Sequence, residues 1–223
     1  MKTYLLPHQM RFFQQKGWII FDSFFSEEFI SRIIENIQKD LEKKSHKHFS
    51  DISFLEAFAS SFDLFRTIPS IKELLQNKQL IQIISSLMKV ENIRIGFDQV
   101  IASSIPVQNF LEDSVQSLSP VQPLLGTIFI CLKETTLQKK EEKANNLCLP
   151  LKLGEIAVIN PSYDQVFIDL AKLNSFFYLQ LGYTEISSRY YINDKNPNGN
   201  FLKTLGYAAG DSLKNSTHPL LHS

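Results

Sequence analysis

The sequence predicts an α+β fold, with helices up to about residue 90 and strands beyond it. Two observations predict this. Phe29, Ile30, Ile33, Ile34, Ile37 and Leu41 recur at helical spacing and give one apolar face. Ile93, Ile95, Phe97, Gln99 and Ile101 instead alternate with Arg94, Gly96, Asp98 and Val100, the period of a strand. The switch falls near Glu91, and helices followed by a run of strands argue for a helical face packed on an antiparallel sheet, sandwich or barrel.

Taken in order, Pro7 to Lys16 reads as a short helix stopped at Gly17, and Trp18–Phe21 as a strand. Ser26 suits an N-cap, with Glu27 and Glu28 in the first turn of the helix through Leu41. Lys43 to His48 is a polar link. Ile52, Leu55, Ala59, Phe62 and Phe65 mark a second amphipathic helix, and Pro69 interrupts the pattern. Leu74, Leu75, Leu80, Ile83, Ile84 and Leu87 predict one or two further helices up to Lys89. In the second half, Ser103 to Pro123 is expected as a loop or lid and Leu125–Lys133 as a buried strand. Thr135–Asn146 is a charged connection. Gly154–Pro161, Ser175–Tyr183 and Ser187–Ile192 are three more strands.

Composition limits the partners. The 223 residues can bury one sizeable core, so a single domain over 1–223 is expected, helical over 1–90 and β-rich over 91–223. Eighteen Phe against one Trp promise a phenylalanine-rich core. Twenty-three basic and twenty-three acidic residues cancel, which removes the electrostatic case for nucleic acid or an anionic membrane as main partner. The longest apolar run, about nine residues, is roughly half a membrane span. The first residues are too short an apolar stretch for a signal peptide, because charge returns at Arg11. Cys131, inside the apolar run Leu124–Leu132, reads as a buried thiol, no CxxC occurs, and Cys131 and Cys148 together fit a reducing compartment. The cytoplasm is the expected location.

Several segments resemble a known family. Gln15–Glu28, with its glycine, short strand and Phe24-Phe25-Ser26-Glu27-Glu28 helix start, resembles the opening of phytanoyl-CoA dioxygenase-like proteins. Phe97-Asp98-Gln99 resembles a strand motif that precedes their iron site. Gly154-Glu155-Ile156-Ala157-Val158-Ile159 resembles the strand leading to their distal iron ligand. Lys203–Tyr207, Gly210-Asp211 and His218-Pro219-Leu220 are similar to the C-terminus of some bacterial members. The resemblance implies a double-stranded β-helix, a jelly-roll with N-terminal helices packed on one sheet, the fold of Fe(II)/2-oxoglutarate oxygenases.

That family holds iron with two His and one carboxylate, the proximal pair being H-x-D or H-x-E. None of His8, His46, His48, His218 and His222 has an acid two positions on. Pro106–Leu124, where the pair belongs, offers Glu112 and Asp113 without a His. Ser162-Tyr163-Asp164-Gln165 follows Pro161 where the distal His is due. No Arg opens Ser175–Tyr183 to clamp the keto acid, and Arg189 comes one strand late.

Other groups carry two readings each. His46-x-His48 has a metal-ligand spacing but favours a solvated loop, and His218 and His222 favour an ordinary surface role in a mobile tail. Asp98 could be catalytic, though an ion pair with Arg94 or Arg189 is favoured. Tyr178, Gln180 and Thr184 share one strand face, polar interior or, the favoured reading, solvent face. No G-x-S-x-G, G-x-G-x-x-G or P-loop occurs.

The function expected is therefore that of a degenerate oxygenase-fold protein, a binding or interaction module for an unidentified protein or small molecule, without cofactor. Its pocket or rim is expected at Asp98, Gln99, Phe110, Glu112, Asp113, Tyr163, Tyr178, Gln180 and Arg189, with no catalytic or metal-binding residue assigned. The competing expectation is an Fe(II)/2-oxoglutarate oxygenase with atypical ligands and a lipid-like or small hydrophobic substrate. A third, an unrelated enzyme reusing the roll's pocket, has no signature.

Overall fold

The computed structural model describes residues 5–106, 115–139, 147–163, 166–194 and 196–222. Helix α1 (Pro7–Lys16) starts on a proline and ends at Gly17, whose φ of 78° makes the turn into β1 (Trp18–Phe21). In α2 (Glu27–Ser45) the Ser26 hydroxyl accepts the Phe29 N–H at 3.3 Å, and Ile30, Ile33, Ile37 and Leu41 are buried. The helix runs past Lys43, so the polar link is shorter than the sequence suggests.

The helix expected across Ile52–Phe65 is divided. A 3-10 turn (Phe49–Asp51) precedes α3 (Phe54–Ser60), which a Ser53–Glu56 capping box opens, and a second 3-10 turn covers Leu64–Arg66. The break has a local cause: Asp63 adopts the left-handed region at φ 56°, and the N–H groups of Leu64 and Phe65 are taken by the Asp98 carboxylate. Pro69 does not merely interrupt, since it occupies the first turn of α4 (Pro69–Leu75). Asn77 then caps α5 (Lys78–Met88).

The strands β2 (Asn92–Ser103), β3 (Val121–Cys131), β4 (Ile156–Ile159), β5 (Phe176–Tyr190) and β6 (Leu220–His222) join β1 in one antiparallel sheet, order β1-β4-β3-β5-β2-β6. Short helices α6 (Val115–Leu118), α7 (Val166–Leu170) and α8 (Phe201–Thr204) lie between them. The stretch expected as a loop over Ser103–Pro123 thus contains α6 and the start of β3. The two strands expected at Ser175–Tyr183 and Ser187–Ile192 are one, because Thr184 and Ser188 both donate to the Pro123 carbonyl at 2.7 Å and carry the strand across.

Each sheet face has its own core. One packs on α2, α4 and α5 through Ile93, Ile95, Val100, Ile128, Val158, Leu179 and Leu181. The other buries Phe97, Ile101, Phe129, Ala157, Phe176 and Tyr178 against Phe58, Val115, Leu149 and Val166. Hence Ile93 and Phe97 do not share a face as alternation predicts. A β-bulge between Ile95 and Phe97 inserts one residue and inverts the phase of everything after it. Among the described residues no helix is long and apolar enough to cross a membrane.

Candidate functional site

The inner face of the sheet, opposite the large helices, is where the expected pocket residues Gln99, Tyr178 and Gln180 point. The bulge sends Gln99 inward. Its Nε2 donates to the Phe58 carbonyl and the Ser61 hydroxyl, both at 2.8 Å, and its Oε1 accepts from Asn198 at 3.1 Å. Asn196 ties into the same network by accepting the Asn198 N–H at 2.8 Å and donating to the Leu118 carbonyl. Tyr178 is fully buried and donates to the Pro150 carbonyl at 2.7 Å, so this strand face is interior and not solvent-facing. Burial also raises the Tyr178 hydroxyl's pKa, and pushes the Cys131 thiol up to about 12. Between Gln99, Gln180, Asn196, Phe62 and Phe97 remains a hollow of about 20 Å³, roughly the room of one water. The described side chains around it are closely packed.

The other expected residues scatter. Asp98 faces the helices and is paired with neither Arg94 nor Arg189; it accepts from Leu64 N at 3.0 Å and Phe65 N at 2.9 Å. Arg189 is exposed, on the same strand as Tyr178, and donates to the Gly210 carbonyl at 2.8 Å. Tyr163 is half-buried and packs on Gly17. Phe110, Glu112 and Asp113 lie outside the described residues.

A buried polar cluster has no counterpart in the sequence reading. His218, expected in a mobile surface tail, is fully buried. Arg66 Nη2 lies 3.4 Å from its Nε2 and the Tyr207 hydroxyl 3.2 Å from its Nδ1, while Arg94 donates to its backbone carbonyl. Because a guanidinium can only donate, Nε2 accepts and the ring is neutral. Burial, then Arg66 and Arg94, holds its pKa down to about 3. Asp63 accepts from Arg66 Nη2 at 2.8 Å, yet burial outweighs that partner and pushes its carboxyl up to about 6. Asp98, beside it, is raised well above the usual range by burial and by Asp63. The signal was too diffuse to read in sequence: positions 63, 66, 94, 98, 207 and 218 meet only in the fold.

A concavity roomier than that hollow lies at the sheet end. There α2 (Gln38, Glu42), the following turn (His48, Phe49), the end of β2 (Ala102–Ser104), Lys133 and the start of β5 enclose a cleft of about 490 Å³. Its floor is apolar, with the Phe49 and Phe177 rings 4.9 Å apart. Glu42 accepts the Phe49 N–H at 2.9 Å, and exposed Lys133 makes no ion pair among the described residues.

No protein-family model matches the chain, and no curated protein matches it in sequence. Solved structures do match in shape. The non-heme alpha ketoglutarate dependent carbocyclase SnoK from nogalamycin biosynthesis is 12% identical, covering 97% of this chain and 96% of its own, at TM-score 0.69. The epimerase SnoN in complex with Fe3+, alpha ketoglutarate and nogalamycin RO is 10% identical over 96% and 98%, at 0.59. EctD from S. alaskensis with 2-oxoglutarate and 5-hydroxyectoine is 12% identical over 83% and 78%, at 0.57. Such identities speak for fold. The chain has the jelly-roll fold of the iron- and 2-oxoglutarate-dependent oxygenases.

These neighbours correct one expectation. A cofactor-free chain was expected, whereas the fold points toward iron with 2-oxoglutarate. Among the described residues, no three His, Cys, Asp or Glu side chains converge as a metal site would need, and the hollow beside Gln99 is far smaller than a keto acid. Glu112, Asp113 and Asp164 lie outside the described residues. The described side chains do not fit the group, and no chemical step follows from them.

Proposed function

We propose that this chain is a binding protein on an oxygenase roll, of phytanoyl-CoA dioxygenase-like descent, that holds a small amphipathic molecule in the sheet-end cleft. One observation carries the reading: the hollow beside Gln99 has room for about 20 Å³, while the sheet-end cleft holds about 490 Å³, in the range of small-ligand pockets. The aromatic floor suits an aliphatic or ring body. Lys133 favours an anionic head at the rim. The cleft opens where β2 passes into the segment after Ser103, the chain position that carries the proximal ligand pair in the resembling family. Cys131 and Cys148, both free and buried, suit a reducing, cytoplasmic setting.

Calorimetry with decanoate tests it. Saturable binding is expected, weakened by Lys133→Glu, abolished by Ser104→Trp, and weaker for decylamine. The second reading, an oxygenase with atypical ligands, is favoured by the iron and keto-acid proteins that share the fold. A chelator-sensitive melting shift with Fe(II) and 2-oxoglutarate, with no response to decanoate, would replace the first reading with the second. At one hundred times Kd such binding adds about 2.7 kcal/mol.

A further inference from the structure

β1 is the last strand of the sheet, hydrogen-bonded to β4 on one side and to no strand on the other among the described residues. Asn160 N donates to the Gly17 carbonyl at 2.7 Å, so by antiparallel alternation Ile19 and Phe21 turn their backbone groups to β4. Trp18 and Ile20 turn theirs outward. An edge of this kind is a ready template for another strand, and natural edges are commonly blunted by charge or proline. The four residues Trp18-Ile19-Ile20-Phe21 contain neither.

A groove of about 570 Å³ runs beside that edge, lined by α1 and by Trp18, Ile19 and Ile20. Phe12, 37% exposed, meets Trp18 edge-on at 5.3 Å and forms its apolar wall. Its lining holds one permanent charge, the cation Arg11. α1 brings Arg11 to the groove beside the imidazole of His8, has no acidic residue, and carries Lys16 in its last turn outside the lining. Arg11 is exposed and makes no ion pair or hydrogen bond among the described residues.

We infer that the open edge of β1 is a docking site for an acidic, extended segment of a partner protein, added as a strand beside Trp18–Phe21 with its acidic side chains toward Arg11 and its apolar ones on the Phe12–Trp18 wall. Main-chain hydrogen bonds supply the pairing and alternate side chains the selectivity, the physics of strand addition. The site is separate from the sheet-end cleft.

Trp18 is the chain's only tryptophan and reports on the groove. The probe is a blocked synthetic peptide of about seven residues, a strand's length, alternating glutamate and valine. A saturable blue shift of Trp18 emission is expected. About tenfold weaker binding is expected with lysine in place of glutamate, or with Arg11→Glu, an exposed change whose fold is checked by circular dichroism. N-methylating the peptide's backbone on its pairing edge should abolish the response. No saturable shift, equal binding by the N-methylated peptide, or equal binding by the lysine peptide each overturns the proposal. So does a blue shift that grows with protein concentration alone and tracks dimer in ultracentrifugation, since a second copy would then cover the edge.

Discussion

The Phe97 ring lies over Gly182 of the neighbouring strand, so closely that a Cβ at position 182 would overlap it. The ring also stacks on Phe62, centroids 5.6 Å apart, and helps close the hollow beside Gln99. The bulge at Gly96 is what delivers Phe97 to this face.

Gly182→Ala should therefore destabilise the protein by about 1–3 kcal/mol through overpacking. Adding Phe97→Ala should cost less than the two single changes summed, because the truncated ring makes room for the new methyl group. Urea midpoints of the four proteins measure the coupling; additive losses would show that the contact carries no strain relief.

His218 makes stability depend on pH. Its folded pKa of about 3 lies below the ordinary 6.5, so its contribution is complete above pH 6.5 and is lost as pH falls toward 3. Asp63 runs the other way: raised from 3.8 to about 6, it contributes fully below pH 3.8 and loses that contribution as pH rises toward 6. Between pH 6 and 4 the two oppose. Asp63→Asn should steepen the wild-type loss of stability on acidification, and His218→Gln should flatten it. Denaturation at pH 7, 6, 5 and 4 decides, and identical profiles would contradict the burial described for both groups.

Asp98→Asn should be milder than Asp98→Ala. An amide oxygen still accepts one of the Leu64 and Phe65 N–H groups, whereas alanine leaves both buried without a partner, at about 1–3 kcal/mol each. Hydrogen exchange at Leu64 and Phe65 should quicken most in the alanine variant.

Thiol reactivity checks the packing of the inner face. With Cys131 held up to about 12 and Cys148 higher still by burial, neither thiol should react with a disulfide reagent at pH 8 while the protein is folded. Both should react in guanidinium. Fast labelling of the native protein would mean that the inner face opens.

What the sequence made legible was local. The Ile30, Ile33, Ile37, Leu41 spacing, the Ser26 cap and the Gly17 stop are statements about neighbours in the chain, and each is found where the sequence puts it. The order of helices before strands was readable for the same reason. Gly96 carried no warning that it would invert the pattern, because a bulge is defined by the facing strand. Thr184 to Ile186 looked like a strand break until Pro123 supplied an acceptor for Thr184 and Ser188, 61 and 65 residues away in the chain. Gln99 stood out as a polar residue in a strand pattern, but its partners Ser61 and Asn198 flank it at long range, and the cleft between Glu42 and Phe177 has no motif at all.

The position of β2 between β5 and β6 has a consequence for synthesis. Ser103 pairs with Phe176 and Arg94 with Thr184 on one side, and Ile93 pairs with Leu221 on the other. During translation, α2, α4 and α5 emerge long before the strands that cover their apolar faces. Those faces wait in water until β5 and β6 have been made, and closing such long loops is slow. In the cell this nascent chain should lean on chaperones that bind exposed helices, and its yield should fall sharply when they are limiting.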